Sequence, residues 1–300
     1  MYINNNSMAT NVANTLTSHY SDLKTSTERL STGLRVNSAA DDAAGLAIRE
    51  LMRTDITALQ QGVRNANDAI SLLQTADGAL AVIDEKLTRM KELAEQAATG
   101  TYDSTQRLMI ESEYQAMASE ITRIANGTDF NGIHLLDGNL SSDTHTGTGA
   151  GTPDGLSSTG KLKVHFGTAN DSAEDYYYIK IGTSTASALG VGNQAVGTDG
   201  LTVSTQEAAQ KALVAITNAV VSKDKIRAHL GALQNRLENT ISNLTTQSEN
   251  LQAAESRISD VDVATEMTTF VRNQILTQSS VAMLSQANSM PRMAMSLISG

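Results

Sequence analysis

Three hundred residues suffice for one large domain or two to three modest ones, and 22 basic against 32 acidic residues give a formal net charge of −10. That balance argues against a duplex nucleic-acid binder, and the lack of cysteine excludes disulfides, thiolate metal sites and thiol nucleophiles. With aromatics at 3%, no Trp and two prolines, the core must be built from Leu, Ile, Val, Met and Ala, which suits long packed helices.

In chain order, residues 1–6 have neither the basic nor the apolar region of a secretory signal peptide, and no run of 18 apolar residues predicts a membrane span. Leu16, Leu23 and Leu30 repeat every seven residues, with His19 and Ser26 where a second seam residue should stand. No charged side chain precedes Asp22. Asp41 and Asp42 follow Asn37 and Ser38 and are expected to cap a helix starting near Ala43, a simpler role than paired catalytic carboxylates. A stripe then runs through Met52, Ile56, Leu59, Val63, Ala66, Ile70, Leu73, Ala76, Leu80, Ile83, Leu87, Met90 and Ala94. Its three-four steps predict one helix about 65 Å long over that stretch, too long for an isolated globular helix. Gly62 and Gly78 inside it cost about 1 kcal/mol each against Ala, and Gly100 marks its stop. Arg89 and Leu93 are expected to share a solvated face beside the stripe.

A second helix follows through Ile110, Tyr114, Met117, Ile121 and Ile124, ending near Asn126-Gly127. Asp129-Phe130-Asn131-Gly132-Ile133-His134-Leu135 then reads as a tight hairpin. Twelve of the 21 glycines fall between Gly138 and Gly200, so the middle is read as an irregular or β insertion. Leu162, Val164 and Phe166 alternate there, as do Tyr177, Ile179 and Ile181. The run from Gly155 to Leu162 nearly matches a phosphate-binding loop, but Leu162 replaces the required Ser or Thr. The run from Gly190 to Ala195 lacks the βαβ unit of a dinucleotide site. His19, His134, His145, His165 and His229 have no ligand spacing, so no catalytic, cofactor or metal residue is predicted.

The C-terminal arm repeats the helical pattern with Leu213, Ile216, Val220, Leu230, Leu233, Leu237, Ile241, Leu244, Leu251 and Ile258, one helix from about Gln206 to Ile258. Beyond it Leu276, Met283, Met290 and Leu297 again repeat by seven, and Pro291 predicts irregular last turns. Each end alone buries only a thin stripe, as expected of helices that order when copies pack together. The fold expected is mainly α: a long antiparallel helical bundle or coiled coil from both chain ends, with a small β-rich central insertion. Its segments are 1–42 and 257–300 at the ends, 43–140 and 203–256 in the bundle, and 141–202 in the insertion.

Two runs go beyond pattern. Residues 28–48 (ERLSTGLRVNSAADDAAGLAI) closely resemble the N-terminal signature of bacterial flagellins. Residues 254–262 (AESRISDVD), with Glu266-Met267 and Gln286-Ala287-Asn288 before Pro291, resemble the C-terminal one, and Asp129-Phe130-Asn131-Gly132 is similar to the family's short turn. The resemblance covers about 1–140 and 201–300. It implies a structural, non-enzymatic subunit of the flagellar filament, with no cofactor, contacting neither nucleic acid nor membrane. It implies an extracellular place on the flagellum, reached through the flagellar export apparatus with an export chaperone and without a cleaved signal peptide. It further implies terminal segments that order on assembly, and hook-junction and cap proteins as neighbours. The assembly residues expected are Leu16, Leu23, Leu30, Leu276, Met283 and Leu297, with Arg35 and Asp42 as polar register contacts.

Residues 88–94 (TRMKELA) also resemble the segment by which some flagellins are recognised by Toll-like receptor 5. The resemblance assigns contacts to Arg89, Leu93 and Glu113, with Lys91 standing where Arg is common and Glu95 where recognised members are uncharged. The chain's ending, residues 296–300, is less apolar than the family's usual one. The alternatives are a hook-filament junction protein with similar terminal helices, a soluble coiled-coil adaptor, and an enzyme housed in the insertion.

Overall fold

The computed structural model describes residues 6–142, 160–171, 174–192 and 202–299, with side chains through residue 293. In chain order its elements are α1 (Ser7–Thr32), α2 (Ala43–Ala98), α3 (Ser104–Gly127), β1 (Asp129–Phe130), β2 (Ile133–His134), β3 (Leu162–His165), β4 (Tyr176–Ile179), α4 (Ala186–Leu189), α5 (Gln206–Ser259) and α6 (Val263–Ser299). The chain is mainly α, as the pattern predicts. Two compact units divide it between Ile56 and Thr57 and again between Ser248 and Glu249, inside α2 and α5.

In the unit of residues 57–248, one face of α2 buries Leu73, Leu80, Ile83, Leu87 and Met90. The facing side of α3 buries Tyr114 and Ile121, and that of α5 buries Ile216, Leu230 and Leu237. Alanines fill the rest of the seam, among them Ala66, Ala76, Ala118, Ala212 and Ala219, so the core uses small residues in place of rings. An Asp103 capping box with Gln106 starts α3. The β1–β2 hairpin turns at Asn131 and Gly132, both at positive φ (52° and 79°), which an Asn-Gly pair adopts cheaply. The antiparallel β3–β4 ribbon pairs Leu162 with Ile179 and His165 with Tyr176, and Val164 and Ile179 turn inward. Burial pushes the Tyr114 hydroxyl well above its ordinary pKa, and it meets the Gly192 backbone, fastening α3 to the segment after α4.

Gly62 differs from the expectation of a merely tolerated glycine. A Cβ there would lie 2.0 Å from the Phe166 carbonyl oxygen, so the close approach of the chain after β3 to α2 requires its absence. Asn65 seals the same contact, donating from Nδ2 to the His165 carbonyl at 2.8 Å.

One core position is filled by charge. The Lys223 side chain is only 2% exposed, yet its Nζ lies 2.5 Å from Asp84 Oδ1 and 2.8 Å from Asp224 Oδ1. Burial pulls its pKa down, but Asp224 and Asp84 more than offset this and hold it above the ordinary lysine value. One turn on, Arg227 grips Asp77 through Nε at 2.7 Å and Nη2 at 3.1 Å. Asp77 and Asp84 rise along α2 as Arg227 and Lys223 fall along α5, so the pairs index the antiparallel register. Asp84→Ala is expected to cost about 2 kcal/mol, because Lys223 stays buried with half its partners. Lys223→Met is expected to leave stability unchanged or slightly higher, and urea unfolding followed by helical circular dichroism distinguishes the two.

Candidate assembly interface

The other unit brings the chain's two ends together as the helix pair α1 and α6. Asn6 caps α1, its Oδ1 accepting from Ala9 N–H at 3.1 Å. Asp262 opens α6, its Oδ1 accepting from Ala264 and Thr265 N–H and its Oδ2 from the Thr265 hydroxyl. The backbone hydrogen bond from Thr265, with the other two, holds this carboxyl below the usual range.

The turns between helices are built from the signature residues. Arg35 N–H donates to the Ser259 carbonyl and Arg35 Nη2 to the Ile258 carbonyl, both at 2.6 Å, while Val261 N–H reaches the Gly33 carbonyl at 3.0 Å. Leu34 and Asp260 form an isolated antiparallel bridge there. Asp41 Oδ2 accepts from the Ser38 N–H and hydroxyl and from Asn37 N–H. The Ser38 backbone bond is the main reason its pKa lies below the usual range. Asp42 Oδ1 accepts from Gly45 N–H at 2.9 Å, capping α2 as expected. Arg35 and Asp42 therefore each hold their own subunit's turns.

The seam between α1 and α6 is polar. Ser26, Asn273 and Thr277 are buried, and Ala287 is the one buried apolar residue of α6 among those described. Arg29 and Glu266 approach to 3.8 Å across it. Pro291 does not interrupt α6, contrary to expectation. It has no N–H, which frees the Ala287 carbonyl four residues earlier. Asn6 Nδ2 donates to that carbonyl at 2.9 Å, so the cap of one helix satisfies the gap in the other.

Phe270 and Leu284 of α6 are half-buried, but most of its large apolar side chains are exposed. Met283 is 59% exposed and Leu276 37% exposed, with Val281 and Met290 also exposed. Leu16, Leu23 and Leu30 of α1 are half-buried. The Leu297 side chain lies outside the described residues. The sequence reading missed Val263, Met267, Val271 and Ile275, which are all exposed. Their four-residue steps form an apolar strip that a search for sevens passes over.

On the other unit, Arg89 and Glu113 come together at the surface. Arg89 Nε and Nη2 donate to Glu113 Oε1 at 3.0 and 2.8 Å, and Nη1 reaches Glu92 at 2.9 Å. Glu113 first, then Glu92, raises the guanidinium pKa. Leu93 is corrected: its side chain is 1% exposed and belongs to the core. The Arg89–Glu113 bridge shows why, since α3 runs along that flank of α2 and covers the position between Arg89 and the stripe.

Most of the run from Gly155 to Leu162, the end of the run from Gly190 to Ala195, and His145 lie outside the described residues. Among the described residues, no three of His, Cys, Asp and Glu gather to hold a metal ion, and no helix is long and apolar enough to cross a membrane.

Two family models match the chain, one toward each end. The bacterial flagellin N-terminal helical region matches residues 3–141, and the bacterial flagellin C-terminal helical region matches residues 213–298. The chain is 40% identical to the flagellar filament 33 kDa core protein of Treponema phagedenis, over 99% of this chain and 100% of that one. It is 42% identical to the flagellin of Bacillus subtilis strain 168, again over 99% and 100%. A solved structure from Vibrio parahaemolyticus, described as a flagellar hook-associated protein, aligns with a TM-score of 0.54 at 14% identity, over 73% of this chain and 100% of that one. At that identity the last likeness speaks for the fold alone.

Proposed function

The chain belongs to the bacterial flagellins and is a structural subunit of the flagellar filament, and from that premise we propose that α1 and α6 are the segments through which copies polymerise. The observation that carries this reading is the inverted distribution of polarity on α6. Its covered positions are Asn273, Thr277 and Ala287 with half-buried Phe270 and Leu284, while Leu276, Met283 and the strip from Val263 to Ile275 are left to solvent. A single subunit thus gains little by ordering these helices, and neighbouring copies that cover the strip supply the missing burial. Leu16, Leu23, Leu30 and Leu297 join the same interface, with Arg35 and Asp42 as its polar register contacts. Non-closing, heterologous contacts of this kind propagate a helical polymer.

The protein works by assembly and carries out no catalysis. It reaches the cell exterior through the flagellar export apparatus, accompanied by a chaperone, and its chain meets junction and cap proteins at the filament ends. The full-length 40% identity to a filament core protein favours the filament over the junction reading, for which the Vibrio structure offers shared fold only. Sedimentation and circular dichroism of purified subunit, before and after seeding with filament fragments, test the proposal. Long particles with a gain in helix signal are expected; a stable small oligomer with fully ordered ends would refute it.

Where the filament subunit meets Toll-like receptor 5, Arg89 and Glu113 form the accessible contact, and Leu93 acts beneath them as packing. Arg89→Ala is expected to reduce a receptor-reporter response to monomer at least tenfold, the scale of losing one well-placed charged contact of about 1.4 kcal/mol. An unchanged response would remove Arg89 from this role.

A further inference from the structure

The covered positions of α6 step alternately by three and four residues through Phe270, Asn273, Thr277, Ser280, Leu284 and Ala287, and α1 is the helix that lies along α6. A second stripe of the same spacing overlaps the first. It runs through Asn273, Leu276, Ser280, Met283, Ala287 and Met290, and its large side chains, Leu276, Met283 and Met290, are exposed in the subunit. The two stripes share the column Asn273, Ser280 and Ala287. Phe270, Thr277 and Leu284 flank that column on one side, and Leu276, Met283 and Met290 flank it on the other. The midlines of the stripes lie roughly 50° apart around the helix, half the turn between adjacent residues. Small side chains in the shared column leave room for a helix on each side of it, so α1 keeps its place while another helix lies beside it.

Asn273 is the exception in that column. It is longer than Ser280 and Ala287, only 8% exposed, and its side-chain amide has no hydrogen-bond partner among the described residues. The contacts from Asn6 to the Ala287 carbonyl and from Arg29 to Glu266 make the helix pair antiparallel and place His19 level with the span from Asn273 to Thr277. His19 is half-buried there without bonding to the amide. Thr277 donates its hydroxyl to the Asn273 backbone carbonyl at 2.7 Å, which leaves the amide unanswered. A buried amide without a partner weakens the single subunit. The same amide becomes favourable once an incoming helix brings a polar group to the second stripe.

We propose that a helix of a second copy docks along Leu276, Met283 and Met290, and that Asn273 bonds to it there and fixes the axial register between copies. The proposal rests on the filament reading and deepens it. Apolar contacts along the stripe supply attraction but tolerate a slip of one heptad, roughly 10 Å along the helix. A buried amide that must meet its partner does not tolerate that slip.

Asn273→Leu keeps the branching of the side chain and removes the amide. Its monomer is expected to melt at or above the wild-type temperature, because an unpaired amide has left the helix pair. Its critical concentration for polymerisation is expected to rise about tenfold, the scale of one partner group left buried and unpaired at each contact. The polymer that it does form is expected to lose the sharp axial repeat of wild type in diffraction from electron micrographs. Asn273→Gln retains the amide and is expected to polymerise within about threefold of the wild-type concentration. Polymerisation of Asn273→Leu at wild-type concentration with an unchanged repeat would overturn the proposal. So would a monomer midpoint that falls together with polymerisation, or an equal loss in Asn273→Gln. Met283→Asp keeps the two conclusions apart. If it blocks polymerisation while Asn273→Leu does not, copies still pack on α6 and the role of Asn273 alone falls. If neither variant affects polymerisation, the interface reading falls with it.

Discussion

Met283→Asp subunits are expected to stay in the supernatant at concentrations where the wild-type chain pellets as filament. Met283 is 59% exposed in the subunit, so the substitution removes little intramolecular packing there. In the proposed polymer the same side chain is covered by a neighbour, and a carboxylate would be desolvated without a partner. A penalty of about 3 kcal/mol per contact raises the critical concentration roughly a hundredfold. The thermal midpoint of the monomer is expected to stay at the wild-type value, which separates lost assembly from lost folding. Leu23→Asp is a less clean companion, because Leu23 is half-buried in the subunit and its loss also loosens the helix pair. Polymerisation of Met283→Asp at wild-type concentration would place the interface on another face.

The second large effect is expected at Gly62, and it opposes what helix propensity alone predicts. Replacing a mid-helix glycine by alanine normally stabilises by up to about 1 kcal/mol. Gly78 has nothing within 4 Å of its would-be Cβ, and Gly78→Ala is expected to behave that way. Gly62→Ala instead drives a methyl group into the Phe166 carbonyl, 2.0 Å away, with the Phe166 carbonyl carbon at 2.8 Å. The obstacle is backbone, so relief means moving the chain off α2 and straining the Asn65 bond to His165. A loss of about 3 kcal/mol is expected. Denaturant midpoints moving in opposite directions for the two variants would establish the contact; a stabilised Gly62→Ala would refute it.

Much of the fold was legible because long helices repeat one rule many times. The expected helix from Gln206 to Ile258 and the observed α5, Gln206–Ser259, agree to within a residue, and Ala43 begins α2 as the Asp42 cap implied. The Asn131-Gly132 hairpin was equally local, since two adjacent residues determine it. What escaped the sequence is what depends on a second element. Leu93 reads as exposed when α2 is drawn alone, and α3 covers it. Lys223 gave no signal in the sequence, since its burial depends on Asp84 from another helix and on Asp224. Pro291 reads as a helix end, and Asn6, 285 positions away, supplies the missing donor. The candidate interface shows the same limit. The seven-residue series did not show that Ser26, Asn273 and Thr277 are the buried positions of α1 and α6, because Ser, Asn and Thr carry no apolar rhythm to detect.

The pairing of α1 with α6 has a kinetic consequence. These helices are the first and last of the chain, and Asn6 and Ala287 meet across 281 residues of sequence. A chain emerging from a ribosome, or threaded end-first through a pore, presents one of them long before the other arrives. Contacts of such separation form late, after nearer ones such as the β1–β2 hairpin and the α2–α3 packing are in place. Until then a lone α1 or α6 has no mate within its own molecule, and the identical helix of another molecule is an available substitute. The closing step of folding and the opening step of association therefore compete for the same surfaces, so subunit concentration governs which partner each end finds.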